Sequence, residues 1–269
     1  MRSKLLFFVL ALAAMAGTAW AGDISIKGST TVLPIAQVTA EAYMEKNPDV
    51  SISISGGGSG NGIKAIIDDT TDIANSSRFI KEKEVALAVE RGSYPVPFAV
   101  AYDSIVPIVH PSNPVQDLTL DQLKAIYTGE IRNWEEVGGP DRKVVVISRD
   151  TSSGTYEVWE EEVLENERVT PRALLQASNG AVGQAVTNNP NAIGYVGIGY
   201  LNPSIKELTV EGIQGNPENA KSGKYPVARA LFMFTNGWPE GETSDFIRFI
   251  QNPETGQKLV LEAGFVPLY

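Results

Sequence analysis

PVPFAVAYDSIVPIVHP, residues 95–111, and YPVARALFMFT, residues 225–235, are two long β-rich stretches with about half the chain between them. Ahead of the first, strand and helix alternate. DISIK (23–27) alternates polar and apolar residues as a strand does, and GSTT leads to Pro34, placed near the start of a helix running to about Lys46. The strand VSISIS (50–55), the loop GGGSGNG (56–62), a helix IKAIIDD, a short strand DIANSS (72–77) and a charged helix from Lys81 to Arg91 follow. That βαβαβ order signals a mainly parallel sheet. Between the two long stretches come a helix at 119–128, the strand KVVVIS (143–148), a helix after SSGT, a helix near 181–188 and the strand AIGYVGI (192–198). Helices at 244–251 and 254–263 close the chain. Two long strands so far apart suit a chain that leaves one lobe for a second and returns, hinged near residues 98–104 and 225–232; one larger sheet has the same element order.

The first residues bear on location. Arg2 and Lys4 precede an apolar run, Leu5 to Ala16, which ends in Gly17-Thr18-Ala19-Trp20-Ala21. The run is too short to span a bilayer, and the pattern reads as a secretory signal peptide, residues 1–21, cut after Ala21. The chain has no cysteine, so neither a lipid-attachment site nor a disulfide framework is available, and a soluble protein in a periplasm-like space is expected. The formal net charge is -10, which argues against nucleic acid and anionic membranes as partners. At 43% hydrophobic residues, the chain can fill one large domain or two lobes with real cores.

Three stretches share one design, a strand end followed by a turn of Gly, Ser and Thr and then a helix: Gly28-Ser29-Thr30-Thr31, Gly56 to Gly62, and Thr151-Ser152-Ser153-Gly154-Thr155. A helix start has unpaired N–H groups and about half a positive charge, and small residues let an anion approach. Each alone is equally an ordinary N-cap. Three of them at the carboxyl ends of strands point to one ligand site. Arg149 ends the KVVVIS strand four residues before Ser153, where its planar fork suits an oxyanion; a surface pair with Asp150 is the ordinary alternative. Arg78, after Asn75-Ser76-Ser77, repeats the arrangement.

Other chemistries lack their residues. GGSGNGIK has Ile63 where a P-loop needs lysine, and neither GxSxG nor GxGxxG occurs. His110 is the only histidine, read as a loop residue, and Glu160-Glu161-Glu162 as a solvated helix face. No catalytic group, metal site or cofactor is expected.

The stretches GSTTVLPIAQ, GGGSGNGIKAI, DIANSSRFI, SRDTSSGTY and NAIGYVGIGY together resemble the periplasmic phosphate-binding proteins of bacterial phosphate-specific ABC transporters, over nearly the whole mature chain. The resemblance implies an α/β fold of two lobes, each a mostly parallel sheet flanked by helices, joined by a two-strand hinge. Residues 22–100 with 228–269 form one lobe and 101–227 the other. It implies a monomer that closes on inorganic phosphate and delivers it to an inner-membrane permease. The matching positions are Thr30 and Thr31, contributing hydroxyl and backbone N–H, then Ser59, and Arg149, Ser153, Gly154 and Thr155. Ser77 and Arg78 stand at the end of the third strand, where well-known members carry an aspartate that accepts the proton of hydrogen phosphate. Asp103 and Asp150 are the candidate replacements for that acceptor, and a Ser77 hydroxyl accepting more weakly is the alternative. Another oxyanion (sulfate, molybdate or tungstate) is the first rival ligand; a secreted phosphatase and an anion-sensing module are more distant readings.

Overall fold

A computed structural model describes residues 22–269; the expected leader, residues 1–21, lies outside the described residues. In chain order the first elements are β1 (Asp23–Gly28), α1 (Leu33–Lys46), β2 (Ser51–Ser55), α2 (Ser59–Ile67), β3 (Ile73–Ser76), α3 (Glu82–Glu90) and the long β4 (Pro95–Val109). Then come β5 (Asp117–Leu118), α4 (Leu120–Thr128), β6 (Val145–Arg149), α5 (Gly154–Glu162), β7 (Leu174–Gln176), α6 (Asn179–Thr187) and β8 (Ala192–Gly197). The last are β9 (Lys206–Glu207), β10 (Thr209–Val210), α7 (Pro217–Lys221), β11 (Ala228–Asn236), α8 (Gly241–Gln251) and α9 (Gly256–Glu262).

The strands lie in the order β2-β1-β3-β11-β4-β8-β6-β7. At one end β2, β1 and β3 are parallel, and at the other so are β8, β6 and β7. Parallel neighbours need crossover connections, which α1 and α2 supply on one side and α5 and α6 on the other. In β1 the inward positions are Ile24, Ile26 and Gly28, while every residue of β3 and β8 is buried, as expected of strands covered on both faces.

The middle of this order is antiparallel and made by the two long stretches. β11 runs against β4 from Ala228 opposite Ser104 to Asn236 opposite Pro95, with a bulge between Leu231 and Phe232. β4 then changes partner, and Ile105 to Val109 pair with β8. One strand thus serves both halves of the molecule. On one side of that change the core packs Ile24, Ile35, Tyr43, Leu231, Phe246 and Phe265, under α1, α8 and α9. On the other it packs Tyr127, Trp134, Trp159, Tyr195 and Tyr225, with the Trp159 and Tyr195 rings stacked 4.4 Å apart. Each such side chain contributes about 1.5–3 kcal/mol through burial.

The expected elements form at nearly the expected places, with one informative shift. The helix expected from Ile63 begins at Ser59, inside the glycine-rich stretch. Gly58 at φ 94° turns the chain into it, and Gly62 lies against β1, where a Cβ would sit 2.7 Å from the Lys27 carbonyl oxygen. Those glycines are therefore the start of the helix and bring it against the strand. His110 lies in a turn with Nδ1 2.7 Å from Ser112 Oγ, and Glu161 and Glu162 are exposed, both as read from the sequence, while Glu160 is half-buried and accepts from the Tyr156 hydroxyl at 2.6 Å.

Candidate functional site

Four strand-to-helix junctions meet where the two halves face each other. The β1–α1 turn brings Thr30 and Thr31, α2 begins with Ser59, the β6–α5 turn brings Arg149 to Ser153, and α6 begins with Asn179. Thr31 Oγ1 is 2.8 Å from Thr155 Oγ1, and Ser59 Oγ is 3.2 Å from Ser77 Oγ. Gly60 N donates to the Ser152 carbonyl at 3.0 Å, and Ser152 Oγ to that of Gly57 at 3.1 Å. Glycine permits this approach: a Cβ on Gly154 would lie 2.4 Å from Ser59 Oγ and 2.9 Å from Ser77 Oγ. Thr30, Thr31, Ser59, Ser77, Arg149, Ser153 and Thr155 are all buried together.

At α5, Ser153 Oγ accepts from Tyr156 N at 3.3 Å and Ser153 N donates to the Asp150 carbonyl at 3.1 Å. Among the described residues the N–H groups of Gly154 and Thr155 have no acceptor, so the positive end of that helix stays open to a ligand. The first turn differs from expectation. Thr31 N and Val32 N donate to Ser29 Oγ at 3.1 and 3.4 Å, so Thr31 brings its hydroxyl to the cluster while its N–H closes a turn on Ser29.

Arg149 is 1% exposed. Its Nε donates to the Gln176 carbonyl at 3.0 Å and its Nη2 to that of Ala177 at 3.1 Å, which fixes the plane of the guanidinium. Among the described residues Nη1 is buried with no partner, and no carboxylate pairs with the group. Burial accordingly pushes its pKa down. A buried cation with an open donor is costly, and an anion held against it removes that cost. Arg149 and Thr151 also line an adjacent cavity of about 630 Å³ with Lys83 and Arg168.

Arg78 does something other than expected. Its Nη1 and Nη2 fork onto Glu84 at 2.8 and 2.7 Å, and its Nε donates to Glu157 of α5, which also receives Lys81 Nζ at 2.6 Å. Nη1 also donates to the Phe79 carbonyl at 2.9 Å, so most of the Arg78 donors meet protein acceptors and Arg78 ties Glu84 of α3 to Glu157 of α5. The two candidate acceptors differ: both oxygens of Asp103 are engaged, whereas Asp150 keeps Oδ2 without a hydrogen bond among the described residues. Asp150 Oδ1 accepts from Ser152 N at 2.9 Å and from Ser152 Oγ, holding its own turn. Asp103 is fully buried, with Oδ1 accepting from Ile198 N at 2.9 Å and Oδ2 from Arg229 Nε and Nη2 at 3.0 and 2.8 Å. Burial pushes its carboxyl up while the guanidinium pulls the other way. Asp103 is therefore a support for Arg229.

Arg229 and Asn179 escaped the sequence reading. Arg229 stands opposite Asp103 in the β4–β11 pairing and donates from Nη2 to Thr155 Oγ1 at 3.0 Å. Asn179 Nδ2 reaches Thr31 Oγ1 at 2.9 Å and Thr30 Oγ1 at 3.2 Å. Arg229 shows in sequence only as one residue of a strand. Asn179 follows Ser178, a readable N-cap, but the cap pattern carries no hint of a reach to the opposite half.

Comparison with known proteins agrees with this architecture. Residues 13–254 match the model of a PBP superfamily domain. The chain is 30% identical to the phosphate-binding protein PstS of Bacillus subtilis, over 92% of its own length and 81% of that protein's. It is 33% identical to PstS of Borreliella burgdorferi, over 90% and 89%. Among solved structures it superposes at a TM-score of 0.86 and 37% identity on a Clostridium perfringens substrate-binding protein, assigned to a phosphate ABC transporter and solved with bound phosphate, covering 92% of this chain and 100% of that one. An ABC-type phosphate transport receptor from Vibrio cholerae follows at 0.74 and 32%, covering 90% and 99%. In its two-lobed α/β fold and along nearly all of its described length, the chain belongs to the PstS family of phosphate-binding proteins.

Proposed function

We propose that the chain is a non-enzymatic periplasmic receptor that closes on inorganic phosphate and delivers it to the permease of an ABC transporter. The observation that carries this reading is Arg149, a buried cation with no carboxylate partner among the described residues and an open Nη1, set among hydroxyls and helix starts from both halves. Thr30, Thr31, Ser59 and Ser77 face the anion from one lobe, taken as residues 22–100 with 228–269. Arg149, Ser153, Gly154 and Thr155 face it from the other, residues 101–227. β4 and β11 form the hinge, and a ligand touching both lobes favours their contact. The donors are local, which is how a chain of net charge -10 holds an anion. Capture at a micromolar dissociation constant needs about 8 kcal/mol, which six to ten charge-assisted bonds of roughly 1.5–3 kcal/mol each supply after desolvation and closure are subtracted.

The printed names of the relatives support phosphate, and the Clostridium structure holds it. The apolar leader supports export, and no described helix is long and apolar enough to cross a membrane. The test is the identity of the anion released when the purified mature chain is denatured. One equivalent of phosphate is expected. A chain that carries none and gives no heat when titrated with phosphate overturns the reading.

A further inference from the structure

Among the cavities of the described residues, one lies away from the hydroxyl cluster, in the half that carries Arg149. Val145 and Val146 at the start of β6 line it, while Arg149 ends that strand about 13 Å further on. Leu174 of β7 turns to this cavity and its neighbour Leu175 to the one beside Arg149, because successive side chains on a strand take opposite faces. The volume is about 570 Å³, within the roughly 300–1,000 Å³ of small-molecule sites. Ile126, Ile131 and Val144 complete the apolar walls and continue the core around Trp134 and Trp159. Leu174 stays 51% exposed at the rim.

The charged part of the lining is all of one sign. Arg132, Lys143 and Arg172 stand around the apolar walls and no carboxylate does. No ion pair among the described residues includes any of the three. In a chain with 32 acidic against 22 basic residues, that sorting runs against the composition. The cavity beside Arg149, by contrast, mixes Glu157 and Glu160 with its cations. Local structure fixes two of the three. Asn133 pairs with Lys143 in an isolated antiparallel bridge and Val144 N donates to the Arg132 carbonyl at 2.8 Å, which sets Arg132 and Lys143 on adjoining segments. Arg132 Nε donates to the Gly129 carbonyl at 2.6 Å, holding the guanidinium at the end of α4. Glu136 of the same turn spends Oε1 on Arg132 N and Asn133 N at 3.0 and 2.9 Å and does not line the cavity.

An apolar hollow ringed by cations matches a ligand that is apolar along its length and anionic at one end. Burial of the tail supplies affinity, and the head group fixes orientation. The planar forks of two arginines suit the two oxygens of a carboxylate. We propose that this cavity is a second ligand site, for a single-chain aliphatic carboxylate whose tail lies on the Ile and Val walls and whose head meets Arg132, Lys143 and Arg172. A peptide strand fits less well, because β7 is only three residues long and offers few main-chain bonds to an added strand.

The test is calorimetric titration of the mature chain with decanoate, octanoate, decyltrimethylammonium and a neutral decyl glycoside, each below its micelle concentration. Decanoate is expected to bind at one equivalent with a dissociation constant below about 1 mM. Octanoate should bind about 4- to 15-fold more weakly, for one or both of the missing methylenes. The cationic and neutral chains should bind at least about 10-fold more weakly than decanoate. Arg132→Gln combined with Arg172→Gln should lower decanoate affinity at least about 10-fold while leaving the circular-dichroism spectrum and the phosphate affinity unchanged. Leu174→Glu, at an exposed position, sets a carboxylate in the mouth of the cavity and should have the same effect. Decanoate that does not bind, that binds no better than the cationic chain, or that keeps its affinity in both variants overturns the inference. An acidic apolar peptide that binds this face where decanoate does not marks a protein-docking surface and overturns it as well.

Discussion

Replacing Arg149 by methionine keeps most of the buried stem and removes the charge, and the structure makes opposite demands on the free and bound protein. In the free protein two bonds to the carbonyls of Gln176 and Ala177 are lost, about 1.5–3 kcal/mol each, while relief from burying a cation without a counter-charge returns several kcal/mol. The two effects offset, and the unliganded stability of Arg149→Met should stay within about 1 kcal/mol of wild type, a shift of roughly 2–4 °C for a chain of this size. In the bound protein the open Nη1 has no substitute. Losing one charge-assisted contact weakens phosphate binding about 10- to 150-fold. At a phosphate concentration 100 times the wild-type dissociation constant, the ligand stabilises wild type by about 2.7 kcal/mol and a 100-fold weakened variant by only about 0.4 kcal/mol. Thermal unfolding with and without phosphate, checked by calorimetry, reads both quantities. If Arg149→Met unfolds much earlier without ligand yet keeps the full phosphate-induced shift, Arg149 is a structural residue and the central argument about the site is wrong.

Gly154→Ala sets a methyl group 2.4 Å from Ser59 Oγ, so it should keep the helix content seen by circular dichroism yet lose at least about 100-fold in phosphate affinity by holding the lobes apart. Glu157→Gln removes the carboxylate that Arg78 and Lys81 share across the lobes without touching the anion. It should weaken phosphate about 2- to 10-fold and enlarge the radius of gyration of the unliganded protein by small-angle scattering; an unchanged affinity would mean the clasp is idle. Burial pushes the Glu84 carboxyl up, but the bonds from Arg78 and from Lys81 N more than reverse this and hold it below its usual range. A depressed carboxyl contributes stability above its unfolded pKa, about 4.3, which is lost as pH falls through the lowered value. The unfolding midpoint should therefore drop below about pH 4 in wild type and drop less in Glu84→Gln.

Periodicity carried the elements, because burial imposes it directly: DISIK alternates in sequence as β1 alternates in burial. The turns of the candidate site were legible for a related reason. Thr31, Ser59, Ser153 and Gly154 are small because segments from both halves of the chain meet over them, and that demand is visible in the local composition. What remained hidden depends on partners distant in sequence. Arg78 and Arg149 both follow a strand and serines, yet one meets Glu84 and Glu157 while the other meets only carbonyls. Asp103 looked available as an acceptor until the antiparallel register placed Arg229 opposite it. Asn179 acts across the cleft on Thr31, 148 positions away, and no local pattern encodes such a contact.

The change of partner along β4 bears on how such a molecule is assembled from parts. The outgoing chain at Ser104 and the returning chain at Ala228 sit opposite each other as neighbours on adjacent strands, so everything between them is a loop grown out of a single hairpin. A connection of two to five residues, the usual length of a hairpin turn, spans the same gap. Residues within 105–227 nonetheless give Val106 and Ile198 to the core under α1, α8 and α9, so the nested span is packed into the part that carries it. In connectivity one span of chain is nested within a hairpin, and its two ends sit on a single rung of the ladder.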